Sequence, residues 1–189
     1  MSLKPLMLAI SWSLLYFVIA KSQDTTQQQD DTIQWSSENK LKWEDFKGEP
    51  VADNPSDAFT TTDISAIEWK CDRENRFIFT GAQARFNKDK SWVKDDKKSD
   101  ELLKHEQGHF EITEIYARKL REALRKIECD KKSKEQIQKE VDDAADKIDK
   151  EWDKEAEKYD EETDHGKDKK KQEKWDEKIN KELEKMKNQ

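Results

Sequence analysis

Apolar residues recur at steps of three and four along the C-terminal half of the chain, which is the spacing of one helix face. This pattern predicts three helices. The first begins at Ser99 or Asp100, since either can cap a helix N-terminus, and extends to about Cys129. A turn at residues 131–133 leads to the second helix, which ends at the break Thr163–Gly166 and is expected to pack antiparallel against the first. The third helix follows this break.

The N-terminal half instead shows the alternation of apolar and polar residues that is typical of β-strands. Phe59–Cys71 and Arg76–Phe86 have this pattern, and the polar segment Asp72–Asn75 between them predicts an antiparallel hairpin. Ahead of the strands, residues 21–34 are mostly polar and are expected to form a flexible leader. The chain is therefore predicted to have an α+β fold, with a small N-terminal antiparallel sheet packed on long antiparallel helices. We expect a single domain over residues 35–189.

The first twenty residues have the features of a secretory signal peptide. Lys4 precedes an apolar run from Pro5 to Ala20, and the small residue at its end suits cleavage before Lys21. The run is about sixteen residues long, which is short for a membrane span. This pattern predicts a secreted or periplasmic protein without stable membrane insertion after cleavage. An uncleaved membrane anchor is the alternative.

Charged residues make up 43% of the chain and give a net charge of −7, with lysines and acids interspersed. The sequence has no basic patch with interleaved aromatic residues, which argues against a nucleic-acid partner. The charge is concentrated in residues 131–189, where we expect solvated helical faces. The apolar stripe of the second helix predicts packing within a monomer, and a coiled coil with a partner chain is the less favoured alternative.

Two cysteines, Cys71 and Cys129, occur in a chain that is expected to be exported. An even number of cysteines in an oxidising compartment favours one disulfide, and two buried thiols are the alternative. Neither cysteine is needed for a metal site built from histidines.

The candidate chemistry lies in the first helix, where the sequence has the pattern H-E-x-x-H. His105 and His109 are four residues apart and therefore share one helix face, where their imidazoles can bind one metal ion. Glu106 lies beside them, where its carboxylate can reach a metal-bound water. This arrangement predicts a catalytic zinc site with one open position. Two solvated histidines on a charged helix are the alternative, although apolar neighbours such as Phe110 indicate a packed helix.

A catalytic zinc site usually has three protein ligands, so a third ligand is required. Glu114 is five residues after His109 and faces another side of the helix, and Glu128 would lie about 28 Å away along an unbroken helix. His165 remains. If the first two helices are antiparallel, the end of the second returns to the start of the first and brings His165 near His105. Taken alone, His165 is more typical of a solvated loop residue.

Three blocks of the sequence carry a family resemblance. They are SWVK (Ser91–Lys94), LLKHEQGHFEITE (Leu102–Glu114) and Y-D-x-x-T-x-H-G-x-x-x-x-x-Q-x-x-W (Tyr159–Trp175). The blocks resemble the DUF922 family, whose members are regarded as secreted zinc-dependent proteases. The resemblance implies a zincin-like fold and zinc peptidase chemistry, with the H-E-x-x-H residues as its motif. It also matches His165 to the histidine of the family's T-x-H-G block.

These residues predict a zinc metallopeptidase. The metal would lower the pKa of a bound water to about 7, and Glu106 would act as the general base towards that water. Tyr159 is a candidate hydrogen-bond donor to the developing oxyanion, with a packed aromatic residue as the alternative. Thr163, Asp164 and Glu114 are candidates for orienting a ligand imidazole.

Two other functions fit the same residues. Zinc could hold the helices together in an interaction protein without catalysis, and a fourth ligand from Cys71 or Cys129 would favour this alternative. The site could also hydrolyse non-peptide substrates, as in an amidase. For a metallopeptidase, the expected partner is a peptide or protein substrate and the expected cofactor is one catalytic Zn²⁺.

Overall fold

The computed structural model describes residues 31–187 and confirms the α+β class, with short strands followed by helices. The predicted signal peptide, residues 1–20, lies outside the described residues. The strands are β1 (Thr32–Gln34), β2 (Ala58–Phe59), β3 (Thr62–Ile64), β4 (Glu68–Cys71), β5 (Phe77–Thr80), β6 (Ala84–Asn87) and β7 (Trp92–Val93). The helices are α1 (Asp100–Leu124), α2 (Lys134–Thr163) and α3 (Lys169–Lys185). Within this part of the chain, no helix combines the length and the apolar character needed to cross a membrane.

The predicted hairpin is present, but it is divided into two sheets. The outer half pairs β4 with β5, and the inner half pairs β3 with β6. The division occurs at Gly81 and Ala82, which both have positive φ angles and bend the second strand. Gly81 is required there because a Cβ atom would lie 1.9 Å from the carbonyl oxygen of Ala66. A separate pair, β2 and β7, lies outside the hairpin.

The polar leader ends earlier than the sequence predicted. Residues 21–30 lie outside the described residues, but Thr32–Gln34 form β1 rather than a flexible segment. β1 pairs antiparallel with β6, with Ile33 opposite Phe86, and the three-stranded sheet has the order β1-β6-β3. Ile33 also packs against the core beneath the sheet. The apolar side chain of Ile33 and the edge of β6 thus hold this part of the predicted leader in the fold.

The helices begin and end close to the predicted positions. Ser99 caps α1 by accepting a hydrogen bond from the backbone N–H of Leu102, as the sequence indicated. α1 ends at Leu124, five residues before the predicted end at Cys129. The five residues after Leu124 instead lead to a disulfide between Cys129 and Cys71 on β4, which confirms the predicted pairing.

α1 is the central element of the fold. Ile112 and Tyr116 pack on α2 and α3 in one core, whereas Phe110 packs on the sheet in a second core, with its ring 5.9 Å from that of Phe86. α2 is antiparallel to α1, as predicted, because Tyr159 near its C-terminal end contacts the N-terminal half of α1. Since α1 is covered on several sides, the residues of the H-E-x-x-H motif are largely buried.

Candidate metal centre

Two histidines on α1 and one carboxylate on α2 converge at a single point. His105 and His109 lie one turn apart, with ring centroids 4.9 Å apart. Nε2 of each imidazole lies 3.0 Å from the same oxygen, Oδ1 of Asp160. The three residues each offer one ligand atom, and these atoms all lie within 4.8 Å of one another. The donor set of two imidazole nitrogens and one carboxylate oxygen is one that zinc accepts, so the residues fit the predicted metal.

Asp160 was not predicted as a site residue, yet its electrostatics depend on the histidines. Burial raises the pKa of the Asp160 carboxyl, but the hydrogen bonds and charges of His105 and His109 outweigh this effect and hold that pKa well below its usual range. For His109 the balance is similar. Burial lowers the pKa of the imidazole, whereas Asp160 and Glu106 raise it, and the net change is an increase. The site therefore favours positive charge between these side chains.

His165, the ligand predicted from the sequence, lies at the outer edge of this group. Its Nδ1 atom is 3.5 Å from Oδ1 of Asp160, and its side chain is 56% exposed. The loop reaches the site because Asp164, His165 and Gly166 are all in the left-handed region. A Cβ atom at Gly166 would lie 2.8 Å from Cβ of His105, so the backbone packs directly on the motif. The structure therefore brings His165 to the site, but it is not one of the three converging residues.

Glu106 lines a pocket beside the converging ligand atoms, a cavity that the sequence could not indicate. Its side chain is buried, and the pocket has a volume of about 220 Å³. The pocket is also lined by His105, His109, Asp160 and His165. The opposite wall is formed by residues 55–60, which include β2. A buried carboxylate, a potential metal site and a cavity are thus adjacent.

Comparison with known proteins places most of these residues in one family segment. A family model described as "Bacterial protein of unknown function (DUF922)" matches residues 79–166. These residues belong to the DUF922 family. The segment contains the whole of α1 and α2 and the loop that carries His165. No curated protein and no solved structure matches the chain.

Within the DUF922 segment, Tyr159 has a different place from the one predicted for an oxyanion donor. Its side chain is fully buried, and its ring stacks on that of His105 at a centroid distance of 4.6 Å. The hydroxyl group donates a hydrogen bond to the backbone carbonyl of His105 and lies outside the pocket lining. Burial raises the pKa of this hydroxyl. The packing therefore favours the alternative of a packed aromatic residue that supports His105.

Gly108 explains how Tyr159 can approach α1 so closely. A Cβ atom at Gly108 would lie 2.2 Å from the Tyr159 hydroxyl oxygen and 2.7 Å from Cζ. The second variable position of the H-E-x-x-H motif in this DUF922 segment is therefore occupied by the residue that lets α2 pack against the motif.

The three candidates for orienting an imidazole have other partners. Glu114 forms a buried ion-pair cluster with Arg118 and Arg121 on the far side of α1. The hydroxyl of Thr163 donates to the carbonyl oxygen of Tyr159 and accepts from the N–H of Gly166. Asp164 forms the C-cap of α2. These contacts stabilise the helices and the loop, and none of them reaches a histidine ring.

The residue that does contact an imidazole lies outside the DUF922 segment. Oε1 of Gln172, on α3, is 3.1 Å from Nδ1 of His105. Gln172 and Asp160 were both missed because single polar residues in a Lys-, Glu- and Asp-rich helical region have no distinctive spacing. Asp160 is nevertheless the D of the Y-D-x-x-T-x-H-G block, and Gln172 is the Q of the Q-x-x-W block. These specified positions of the motif could have marked both residues as candidates.

Proposed function

We propose that the protein is a zinc-dependent peptidase in which Glu106 is the general base. The observation that carries this proposal is the convergence of His105, His109 and Asp160 on one point in the wall of a pocket that Glu106 also lines. Three protein ligands beside an open pocket are typical of catalytic zinc, whereas structural zinc usually has four protein ligands. Zinc bound there would lower the pKa of a water ligand to about 7.

Glu106 supplies the proton transfers in this proposal. Its carboxylate accepts a proton from the attacking water and donates it to the leaving amine nitrogen. The carboxylate lies on the pocket side of α1, one residue from His105, so its distance from the ligand atoms is fixed by the helix. Tyr159 and Gly166 limit the movement of His105 by packing on its ring and its Cβ atom.

The opposite wall of the pocket supports a peptide as substrate. Immediately before β2, the carbonyl oxygen of Asp57 accepts a hydrogen bond from the N–H of Lys94 and therefore points to the side of β2 on which β7 lies. Because backbone groups alternate along a strand, those of Ala58 and Thr60 point to the opposite edge. An extended peptide can add to such an edge as a further strand.

Side chains at this edge also offer contacts to a peptide. Oγ1 of Thr60 is buried and has no hydrogen-bond partner among residues 31–187. Phe59 is 49% exposed and stacks on Trp92 next to the pocket. A polar group without a partner and an exposed aromatic ring favour a substrate with both a peptide backbone and apolar side chains over a small non-peptide amide.

The alternative function is a zinc-stabilised interaction protein, in which Cys71 or Cys129 would supply a fourth zinc ligand. Cys71 and Cys129 are joined in a disulfide, so neither thiolate can bind the metal. The edge of β2 favours peptides over the substrates of an amidase, although both reactions would use the same water and base. We therefore propose peptidase activity, and amidase activity is the second candidate.

The test is hydrolysis of a fluorescence-quenched peptide library by the zinc-loaded protein and by its Glu106→Gln variant. We expect the variant to retain about one zinc per chain and to lose roughly 100- to 10,000-fold in turnover. Glu101→Gln is the matched control, since Glu101 is exposed in the first turn of the same helix and pairs with Lys169. Full activity of Glu106→Gln would exclude Glu106 as the base. No cleavage by the zinc-loaded wild-type protein would favour the interaction protein.

A further inference from the structure

The side-chain amide of Gln172 can have only one orientation. Its Nε2 atom lies 2.7 Å from Oδ1 of Asp176 and 2.7 Å from the hydroxyl oxygen of Tyr159. An ionised carboxylate only accepts hydrogen bonds, and Asp176 forms an ion pair with Lys104 at 2.5 Å. The NH₂ group of the amide must therefore face Asp176. Its oxygen then faces His105.

This orientation determines which nitrogen of His105 carries a proton. Because an amide oxygen only accepts hydrogen bonds, Nδ1 of His105 must donate to Oε1 of Gln172. A neutral imidazole protonated at Nδ1 has its lone pair on Nε2. That lone pair points at Oδ1 of Asp160, 3.0 Å away. Without a metal this contact is a hydrogen bond with a proton between Nε2 and Oδ1, and a metal ion bound at the site would take the place of that proton.

We infer that Gln172 is a positioning residue that holds His105 in the Nδ1–H tautomer, with its Nε2 lone pair directed at the metal. Asp176 acts through Gln172 by fixing the amide, and the Tyr159 hydroxyl fixes it from a second side. Gln172 is buried, so water does not replace its oxygen readily. The inference rests on the proposed zinc site and extends it to α3, which lies beyond the DUF922 segment.

Removal of the amide oxygen should weaken zinc binding without removing a ligand. In Gln172→Leu, Nδ1 of His105 loses its acceptor, and the ring is free to adopt the other tautomer. Partners of this kind typically change metal affinity by roughly 10- to 100-fold, and we expect a loss of that size. Glu173→Leu is the matched control, because Glu173 is the next residue on α3 and is exposed.

A rescue experiment separates hydrogen bonding from packing. Gln172→Glu keeps an acceptor for His105 but places two carboxylates together, whereas the same change combined with Asp176→Asn keeps the contacts to His105 and to residue 176 and loses only the donor to the Tyr159 hydroxyl. We expect the double variant to bind zinc within a few-fold of wild type, and Gln172→Glu alone to bind more weakly. A purely structural role for Gln172 would give no such rescue.

The measurements are zinc affinity by competition with a chelator and NMR of the histidine side chains in the zinc-loaded protein. We expect a protected Nδ1–H resonance from His105 in wild type, in Glu173→Leu and in the double variant, and its loss by exchange in Gln172→Leu. If the wild-type protein binds zinc, and Gln172→Leu shows the same zinc affinity and the same Nδ1–H resonance, the inference about Gln172 is wrong and the proposed function stands. Absence of zinc binding by wild type would overturn the proposed function, and this inference with it.

Discussion

Oδ1 of Asp160 lies 3.0 Å from Nε2 of both His105 and His109, so one carboxylate oxygen joins the end of α2 to the second and third turns of α1. His165 is five residues further along the chain, and its Nδ1 atom approaches the same oxygen only to 3.5 Å. The two candidates for the third ligand are thus neighbours, and their positions give different expectations.

Asp160→Ala is expected to weaken zinc binding more than His165→Ala. Loss of a converging ligand should reduce affinity by about 100-fold or more, because even residues outside the ligand set contribute roughly 10- to 100-fold. His165 is 56% exposed and should contribute less. Isothermal titration of zinc into each metal-free variant makes the comparison. The reverse order would identify His165 as the ligand, as the sequence predicted, and would give Asp160 a supporting role.

Glu114→Ala should destabilise the fold and leave zinc binding intact. Glu114 is buried and pairs with Arg118 and Arg121, so its removal leaves buried guanidinium groups without their carboxylate. The expected cost is about 3 kcal/mol in the free energy of unfolding, measured by urea denaturation. Glu122→Ala is the control, because Glu122 is on the same helix and forms an exposed ion pair with Lys126, just beyond the helix end. Reduced zinc affinity at normal stability would mean that Glu114 acts on the metal site.

Gly108→Ala tests the close contact between the two helices at the motif. The added Cβ atom would displace the buried ring of Tyr159 and thereby disturb His105. Overpacking costs about 1–3 kcal/mol, which exceeds the roughly 1 kcal/mol that alanine gains over glycine within a helix. We expect lower stability in urea and weaker zinc binding in a titration. A more stable variant, as helix propensity alone predicts, would show that the Tyr159 ring can move aside at little cost.

Loss of the disulfide should lower stability without changing the metal site. Cys71 and Cys129 are separated by 58 residues. The loop-entropy relation gives a contribution of about 4 kcal/mol for a loop of this size. The double variant Cys71→Ser and Cys129→Ser should therefore unfold at lower urea concentration, and its folded form should bind zinc as wild type does. A large loss of zinc affinity in the folded variant would indicate coupling between the disulfide and the site.

The regular parts of the fold were predictable from local pattern. The cap at Ser99, the antiparallel pairing of α1 with α2 and the break at Thr163–Gly166 depend on short-range rules and on one apolar stripe. The division of the hairpin at Gly81 was missed, because it arises from the approach of the Ala66 carbonyl. That contact is made only in the folded chain.

The site shows the same limit. Two of the three converging residues follow from helical spacing alone, because His105 and His109 lie on one element. The position of Asp160 beside the histidines depends on how α2 is placed lengthwise against α1. A shift of α2 by one turn would bring a different residue to the site. Helix periodicity predicts which face packs, but the longitudinal position depends on Gly108 and Tyr159 meeting. Knowledge of the partner side chains is needed for that position.

The two ends of the α1–α2 pair are closed in different ways. The far end is closed by the chain connection at residues 125–133 and by the Cys71–Cys129 disulfide, both covalent. The near end, about 28 Å away along α1 by helix rise, is closed by side chains that would share one exchangeable ion. Removal of that ion would leave the covalent end in place and favour local opening at Tyr159–Gln172. The protease sensitivity of this segment would then report how much zinc its surroundings contain.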